Sequence, residues 1–234
     1  MREWERVIPE FDRHLYDSIG LGVPQEFGKR PALLIIDVVK GFTGDEPLPI
    51  YEAMEEYHQC CGEVAWEALP KIRTLIDACR SARIPIVYVK GDPNFKIFCG
   101  GSTKTEHDPE KIAKCHAPDG IPEIIAPLEG EFVMPKTKGS AFFCTPLVPY
   151  LQKHQVDSLI VVGVSTSGCV RAAVFDGYSN NFPVFVVEEC VFDRSPFMHL
   201  VSLFDMNSKY ADVITLETAL NYLKSIEEEK AKEG

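Results

Sequence analysis

The sequence lacks the spacings that announce metal or disulfide chemistry. It contains no C-x-x-C pair, and its eight cysteines and six histidines are scattered. No H-x-H or H-E-x-x-H pattern occurs, so a zinc site has no support and the cysteines read as free thiols. Basic residues are in deficit: 24 Lys and Arg against 35 Asp and Glu give a formal net charge of -11. A phosphate-binding surface needs the opposite balance, which excludes nucleic acid as the expected partner. No run reaches membrane-span length, and the charged N-terminus MREWERVIPEFDRHLYDSIG holds no apolar signal core. No membrane partner is expected and the chain reads as cytoplasmic. Internal repeats, low-complexity tracts and Gly/Ser linkers are also missing.

What remains is a chain of 234 residues with 45% hydrophobic content, enough for a sizeable core. Residues 1–29 read as an N-terminal arm that packs on the body or on a neighbouring subunit, and residues 30–234 as one domain. Short β-branched runs recur at Ala32–Ile36, Pro85–Val89, Glu131–Met134, Ser158–Val164, Pro183–Val187 and Val213–Leu216. Several are apolar throughout, as strands covered on both faces must be. Helical patterns alternate with them. One ends near Arg83, and one follows Pro146 with Thr145 as cap. Others span 169–180, 197–208 and Glu217–Glu229. Alternation of this kind predicts an α/β, doubly wound, mostly parallel six-stranded sheet with helices on both faces. Asp92–Pro118 shows no period and reads as a long loop or excursion.

Ligands of open parallel sheets bind beyond the carboxyl ends of the strands, so strand ends are where chemistry is sought. The first strand ends in Asp37, either a cap for the next turn or an acid at the rim. The third ends FVMPK, placing Lys136 at the same edge, although alone that lysine reads as a solvated charge. The fourth runs through the small residues Ser165, Ser167 and Gly168 into a helix beginning near Cys169. A helix N-terminus lowers a thiol pKa and favours thiolate. Nearby amides can form an oxyanion hole. A buried structural cysteine is the other reading, and the one given to Cys79, Cys144 and Cys190. Acid, base and thiol sent to one rim make a nucleophile site.

The segments LLIIDVVKGFTG, VMPKTKGSAFFCTPL, VVGVSTSGCVRAAVFDGY and FVVEECVFDR together resemble the isochorismatase-like cysteine hydrolases over roughly residues 30–220. The resemblance implies a Rossmann-like strand order and a catalytic set of Asp37, Lys136 and Cys169. It also implies a cis peptide at Val164–Ser165 and an oxyanion hole from the amides of Ser165 and Cys169. T-S-G-C-V-R is similar to the branch that holds N-carbamoylsarcosine and maleamate amidohydrolases. There an arginine after the fifth strand grips a substrate carboxylate, which maps onto Arg194, with Thr166 and Phe42 as further substrate contacts. Nicotinamidases carry an Asp-x-His motif after the first strand. Here Asp37-Val38-Val39-Lys40 stands instead, which departs from their metal site.

The implied activity is hydrolysis of a linear, non-peptide amide or ureido C–N bond in a small carboxylate-bearing substrate, releasing ammonia without a cofactor. Biuret- or nicotinamide-type amidases, and a non-catalytic binding member, are the alternatives. A homo-oligomer, specifically a tetramer, is implied as well.

Overall fold

A computed structural model describes residues 2–92 and 120–233; the excursion expected over 92–118 therefore lies outside the described residues, apart from Asp92. The chain forms β1 (Pro31–Ile36), β2 (Ile86–Gly91), β3 (Phe132–Lys136), β4 (Ser158–Val164), β5 (Val184–Phe192) and β6 (Asp212–Ile214). All neighbours pair in parallel, in the order β3-β2-β1-β4-β5-β6. The order reverses between β1 and β4, which places the crevice of a doubly wound sheet beyond those two strands.

Helical stretches surround the sheet, and the packing follows the pleat. They begin with α1 (Glu3–Arg6), α2 (Glu10–Ser18), α3 (Lys40–Thr43), α4 (Ile50–Glu56) and α5 (Glu63–Ser81). After β3 come α6 (Leu147–Lys153), a π-helical turn at Thr166–Val170, α7 (Arg171–Ser179), α8 (Pro196–Lys209) and α9 (Leu216–Glu233). Leu33 and Ile35 of β1 face one layer with Leu69, Ile72, Leu75 and Ile76 of α5 and Leu223 of α9. Ala32, Leu34 and Ile36 face the opposite layer with Leu147 and Leu151 of α6, Val174 of α7 and Leu203 and Met206 of α8. Every residue of β1 and β4 is buried, because both faces are covered.

Several boundaries differ from the sequence expectation, each for a local reason. β5 continues to Phe192 rather than ending at Val187, because its pairing with β4 shifts register: Val161 faces Val186, but Gly163 faces Val191. The extra residues bulge out, and their charges find partners. Glu188 accepts from Trp4 Nε1 at 2.7 Å, and Glu189 accepts the Leu216 amide at 2.7 Å. That amide bond lies where α9 begins, so β6 stops at Ile214 instead of including Leu216. Thr145 Oγ1 does accept the Leu147 amide, at 3.4 Å, but Pro146 is the cap residue and α6 starts one residue later than expected. Cys144 is exposed and has φ 53°, so it is not the buried structural cysteine expected, unlike Cys79 and Cys190.

The arm packs on the body through aromatic residues, among them Tyr16 against Phe204 with ring centroids at 5.3 Å. Trp4 is buried in the α8 layer. Phe27 stacks on Phe185 and Tyr222 with ring centroids at 4.4 and 4.3 Å. Between them α2 buries none of its residues, and Phe11 is 76% exposed. No helix among the described residues is long and apolar enough to cross a membrane.

Candidate active site

Asp37 follows β1 directly and turns the chain out of the sheet. Its φ is 52°, a left-handed conformation that aspartate adopts more readily than most residues. Its amide donates to the Val89 carbonyl at 2.8 Å, fixing the turn to β2. Lys136 ends β3, an edge strand, where Pro135 costs the sheet no inner hydrogen bond. Cys169 lies in the π-helical turn after β4. Gly163, two residues before Ser165, is required: a Cβ there would sit 2.1 Å from the Ile36 carbonyl oxygen and 2.8 Å from the Ile36 amide nitrogen. Its φ of 114° is likewise open to few other residues. The close approach of β4 to the end of β1 that results brings the cysteine turn beside Asp37.

The three side chains meet. Lys136 Nζ lies 2.8 Å from Asp37 Oδ2 and 3.4 Å from Cys169 Sγ, and it donates to the Lys138 carbonyl at 2.9 Å. The Cys169 thiol also hydrogen-bonds Asp37. Asp37 and Lys136 are 4% and 6% exposed, so the ion pair is shielded from water. Burial works against the Lys136 cation, but the Asp37 carboxylate and Cys169 outweigh it, and the lysine pKa stands above its ordinary value. Burial, joined by the Asp37 carboxylate, pushes the Cys169 thiol up to about 12 against the pull of Lys136. This corrects the expectation of a resting thiolate at a helix N-terminus. The sulfur is buried beside an anion, and that outweighs the helix end. At neutral pH the thiol keeps its proton, and the carboxylate is the adjacent group that can take it.

The Val164–Ser165 peptide bond is cis. The turn after it closes on itself, with Gly168 N and Val170 N donating to the Ser165 carbonyl at 2.9 and 3.2 Å. Thr166, expected to touch substrate, is fully buried, and its hydroxyl shares a 2.8 Å hydrogen bond with His199 Nδ1. Phe42 on α3 and Arg194 after β5 do come together: the guanidinium carbon lies 5.6 Å from the ring centroid. Arg194 Nη1 also donates to the Gln59 carbonyl at 2.8 Å. Asp193 does not engage its neighbour Arg194; its Oδ2 accepts from Ser167 N at 2.8 Å and Ser167 Oγ at 2.7 Å. Sequence reasoning missed the roles of Asp193, His199 and Gln59 in holding this rim, since their partners are distant in sequence. Among the described residues no group of three His, Cys, Asp or Glu side chains is placed to hold a metal ion.

Comparison with known proteins agrees with this architecture. The Isochorismatase domain matches residues 31–218. A maleamate amidohydrolase of Pseudomonas putida is 34% identical over 202 residues, covering 86% of this chain and 90% of that one. An N-carbamoylsarcosine amidase of Arthrobacter is 26% identical over 217 residues, covering 91% and 78%. Among solved structures, a cysteine hydrolase from Pseudomonas syringae superposes with a TM-score of 0.71 at 19% identity, covering 87% of this chain and 97% of that one, a likeness of fold. With the domain matched over most of its length and its strand order and rim residues on view, the chain belongs to the isochorismatase domain family.

Proposed function

We propose that the chain is an amidohydrolase that cleaves a linear, non-peptide C–N bond, with Cys169 as nucleophile. The observation that carries this is the buried cluster in which Asp37, Lys136 and Cys169 touch one another at the sheet's carboxyl edge. Asp37 takes the thiol proton as the sulfur bonds to the carbonyl carbon and the C=O π bond opens. The amides of Ser165 and Cys169 hold the oxyanion. Lys136 supplies positive charge that steadies the sulfur as it gives up its proton and the Asp37 carboxylate that receives it. Asp37 then gives the proton to the nitrogen, the C–N bond breaks and ammonia leaves an acyl- or carbamoyl-thioenzyme. Water adds to that carbonyl as its proton goes to Asp37; the S–C bond then breaks, Asp37 returns the proton to the sulfur to restore the thiol, and the acid product leaves.

Arg194, on its Phe42 and Gln59 seat, supports a carboxylate-bearing substrate, because a guanidinium binds carboxylate through two parallel hydrogen bonds. Maleamate and N-carbamoylsarcosine, which appear in the relatives' names, each join a carboxylate to a terminal C(=O)NH2 group.

Ammonia release measured over maleamate, N-carbamoyl amino acids, biuret and nicotinamide tests the reading. The carboxylate-bearing compounds are expected to be turned over, and Cys169→Ala to lose at least about a thousandfold in kcat while staying folded. Ammonia released by Cys169→Ala at the wild-type rate overturns the nucleophile. A wild type inert to the whole panel would favour a binding protein that keeps the family fold.

We also infer a homo-oligomer, a tetramer, built in part on the outer face of the arm. Phe11, Ile19 and Val23 are 76%, 62% and 74% exposed there, an apolar surface that a monomer would leave in water. Sedimentation is expected to show a species near four times 26.2 kDa. A 26.2 kDa species at micromolar concentration would refute it.

A further inference from the structure

We propose that Asp193 and His199 are positioning residues that hold the turn Ser165–Gly168 through bonds to two adjacent residues, so that its amides face a tetrahedral adduct on Cys169. This rests on the reading of Cys169 as nucleophile and goes beyond it to the groups that shape the oxyanion site.

The turn's own backbone bonds stay within it and its helix: Gly168 N and Val170 N donate to the Ser165 carbonyl, and Arg171 N donates to the Thr166 and Gly168 carbonyls. Two side chains from other elements tie the turn to the rest of the fold. Asp193, at the end of β5 and itself 8% exposed, accepts from both the amide and the hydroxyl of Ser167 through one oxygen. Charge-assisted bonds of this kind are the stronger, directional sort. His199, on α8, bonds the hydroxyl of Thr166, a residue with no exposed surface. Consecutive residues of a five-residue π turn are thus each held by a side chain from another element, one just after a strand and one on a helix. Burial holds the His199 pKa below its ordinary value, against Asp193 and Glu3, which keeps the ring a neutral partner for the hydroxyl.

The arrangement also explains why Asp193 leaves Arg194 alone. With its carboxylate committed to Ser167, the next residue is free to lie across Phe42 and reach the Gln59 carbonyl. One stretch of two residues then registers the recognition side of the rim against the oxyanion side.

Two reactions of Cys169 separate positioning from bulk structure. Alkylation by iodoacetamide forms an S–C bond as iodide leaves, and no charge develops on oxygen. Addition of a short carboxylate-bearing aldehyde, succinic semialdehyde, forms an S–C bond as the C=O π bond opens, the thiol proton passes to Asp37, and the charge settles on oxygen. That oxygen needs the turn's donors. Aldehyde affinity is read as protection of Cys169 from iodoacetamide by mass spectrometry.

In Asp193→Ala and His199→Leu, alkylation without aldehyde is expected to stay within about twofold of wild type, while aldehyde affinity falls at least about tenfold. His199→Asn, which places an amide near the Nδ1 position, is expected to restore most of that affinity. Asp193→Asn carries the test if Asp193→Ala does not fold. Equal losses in both reactions, no loss in either, a His199→Asn that behaves like His199→Leu, or a wild-type Cys169 that takes no aldehyde would each overturn the proposal. A wild type that takes the aldehyde yet releases no ammonia from any amide would instead sink the amidase reading and leave this one standing.

Discussion

The ends of β1, β3 and β4 and the end of β5 share one rim and are built on opposite principles. At the first three, Asp37 and Lys136 neutralise each other in near-complete burial, with the half-buried Cys169 thiol against them. At the last, Arg194 is half-buried, rests on a ring face and a carbonyl, and among the described residues pairs with no carboxylate. A guanidinium has five donors, so most of its capacity stays available. A closed cluster couples chemistry to stability, because its opposite charges compensate each other away from water. An open cation couples to what arrives from solution. Substitutions on the two sides should therefore fail in different ways.

The largest effect is expected on the closed side. Lys136→Met removes the partner of a buried carboxylate and leaves Asp37 uncompensated, which costs about 3–5 kcal/mol. Urea unfolding should show that loss, together with a collapse of turnover. Adding Asp37→Asn to the same chain should recover much of the stability, because a neutral pair needs no compensation, but none of the activity. If Lys136→Met proved as stable as wild type, the cluster would be wetter than its burial indicates, and the contrast between the two ends would fail.

The open side predicts the reverse pattern. Arg194→Lys keeps the charge and loses the paired hydrogen bonds, so stability should change little. Loss of a charged bidentate contact is worth about 1.5–3 kcal/mol, so kcat/KM for a carboxylate-bearing amide should fall at least about tenfold, chiefly through KM. The neutral amide analogue should be turned over as before. Equal losses on both substrates would assign Arg194 to the fold through its Gln59 and Phe42 contacts.

The same contrast governs what could be read from the sequence. β1 and β4 were legible because strands covered on both faces are apolar at every position, and Asp37 stood out as the first charge after such a run. β3 was less so: Val133 and Pro135 are exposed on an edge, and only Met134 and Lys136 are buried. β5 was cut short at its two glutamates, since nothing local says that Glu188 meets Trp4 from the far end of the chain. The thiol's state was misjudged for a related reason. The helix end was visible in the local pattern, whereas the opposing terms, burial and the Asp37 carboxylate, come from tertiary packing. Thr166 looked like a cleft residue because it sits in the right turn, and only the fold turns its hydroxyl towards His199.

The smallest expected effect lies at the seam of the closed side, at Thr137. Lys136 Nζ reaches forward to the Lys138 carbonyl, so the chain folds tightly around the residue between them. The Thr137 hydroxyl is buried there without a hydrogen-bond partner among the described residues. A buried donor that satisfies nothing destabilises the folded state, since it leaves its water behind and gains no replacement. Thr137→Val keeps the branched shape and removes that oxygen. Stability should rise by about 1 kcal/mol, seen as about 2–4 °C in Tm for a chain of this size, with kcat within about twofold of wild type. A drop in Tm would mean that the hydroxyl has a partner in the folded protein. A raised Tm with a lower kcat would be more instructive, because the oxygen would then be held unsatisfied for the sake of the reaction beside Lys136, and the closed cluster would have a fourth member.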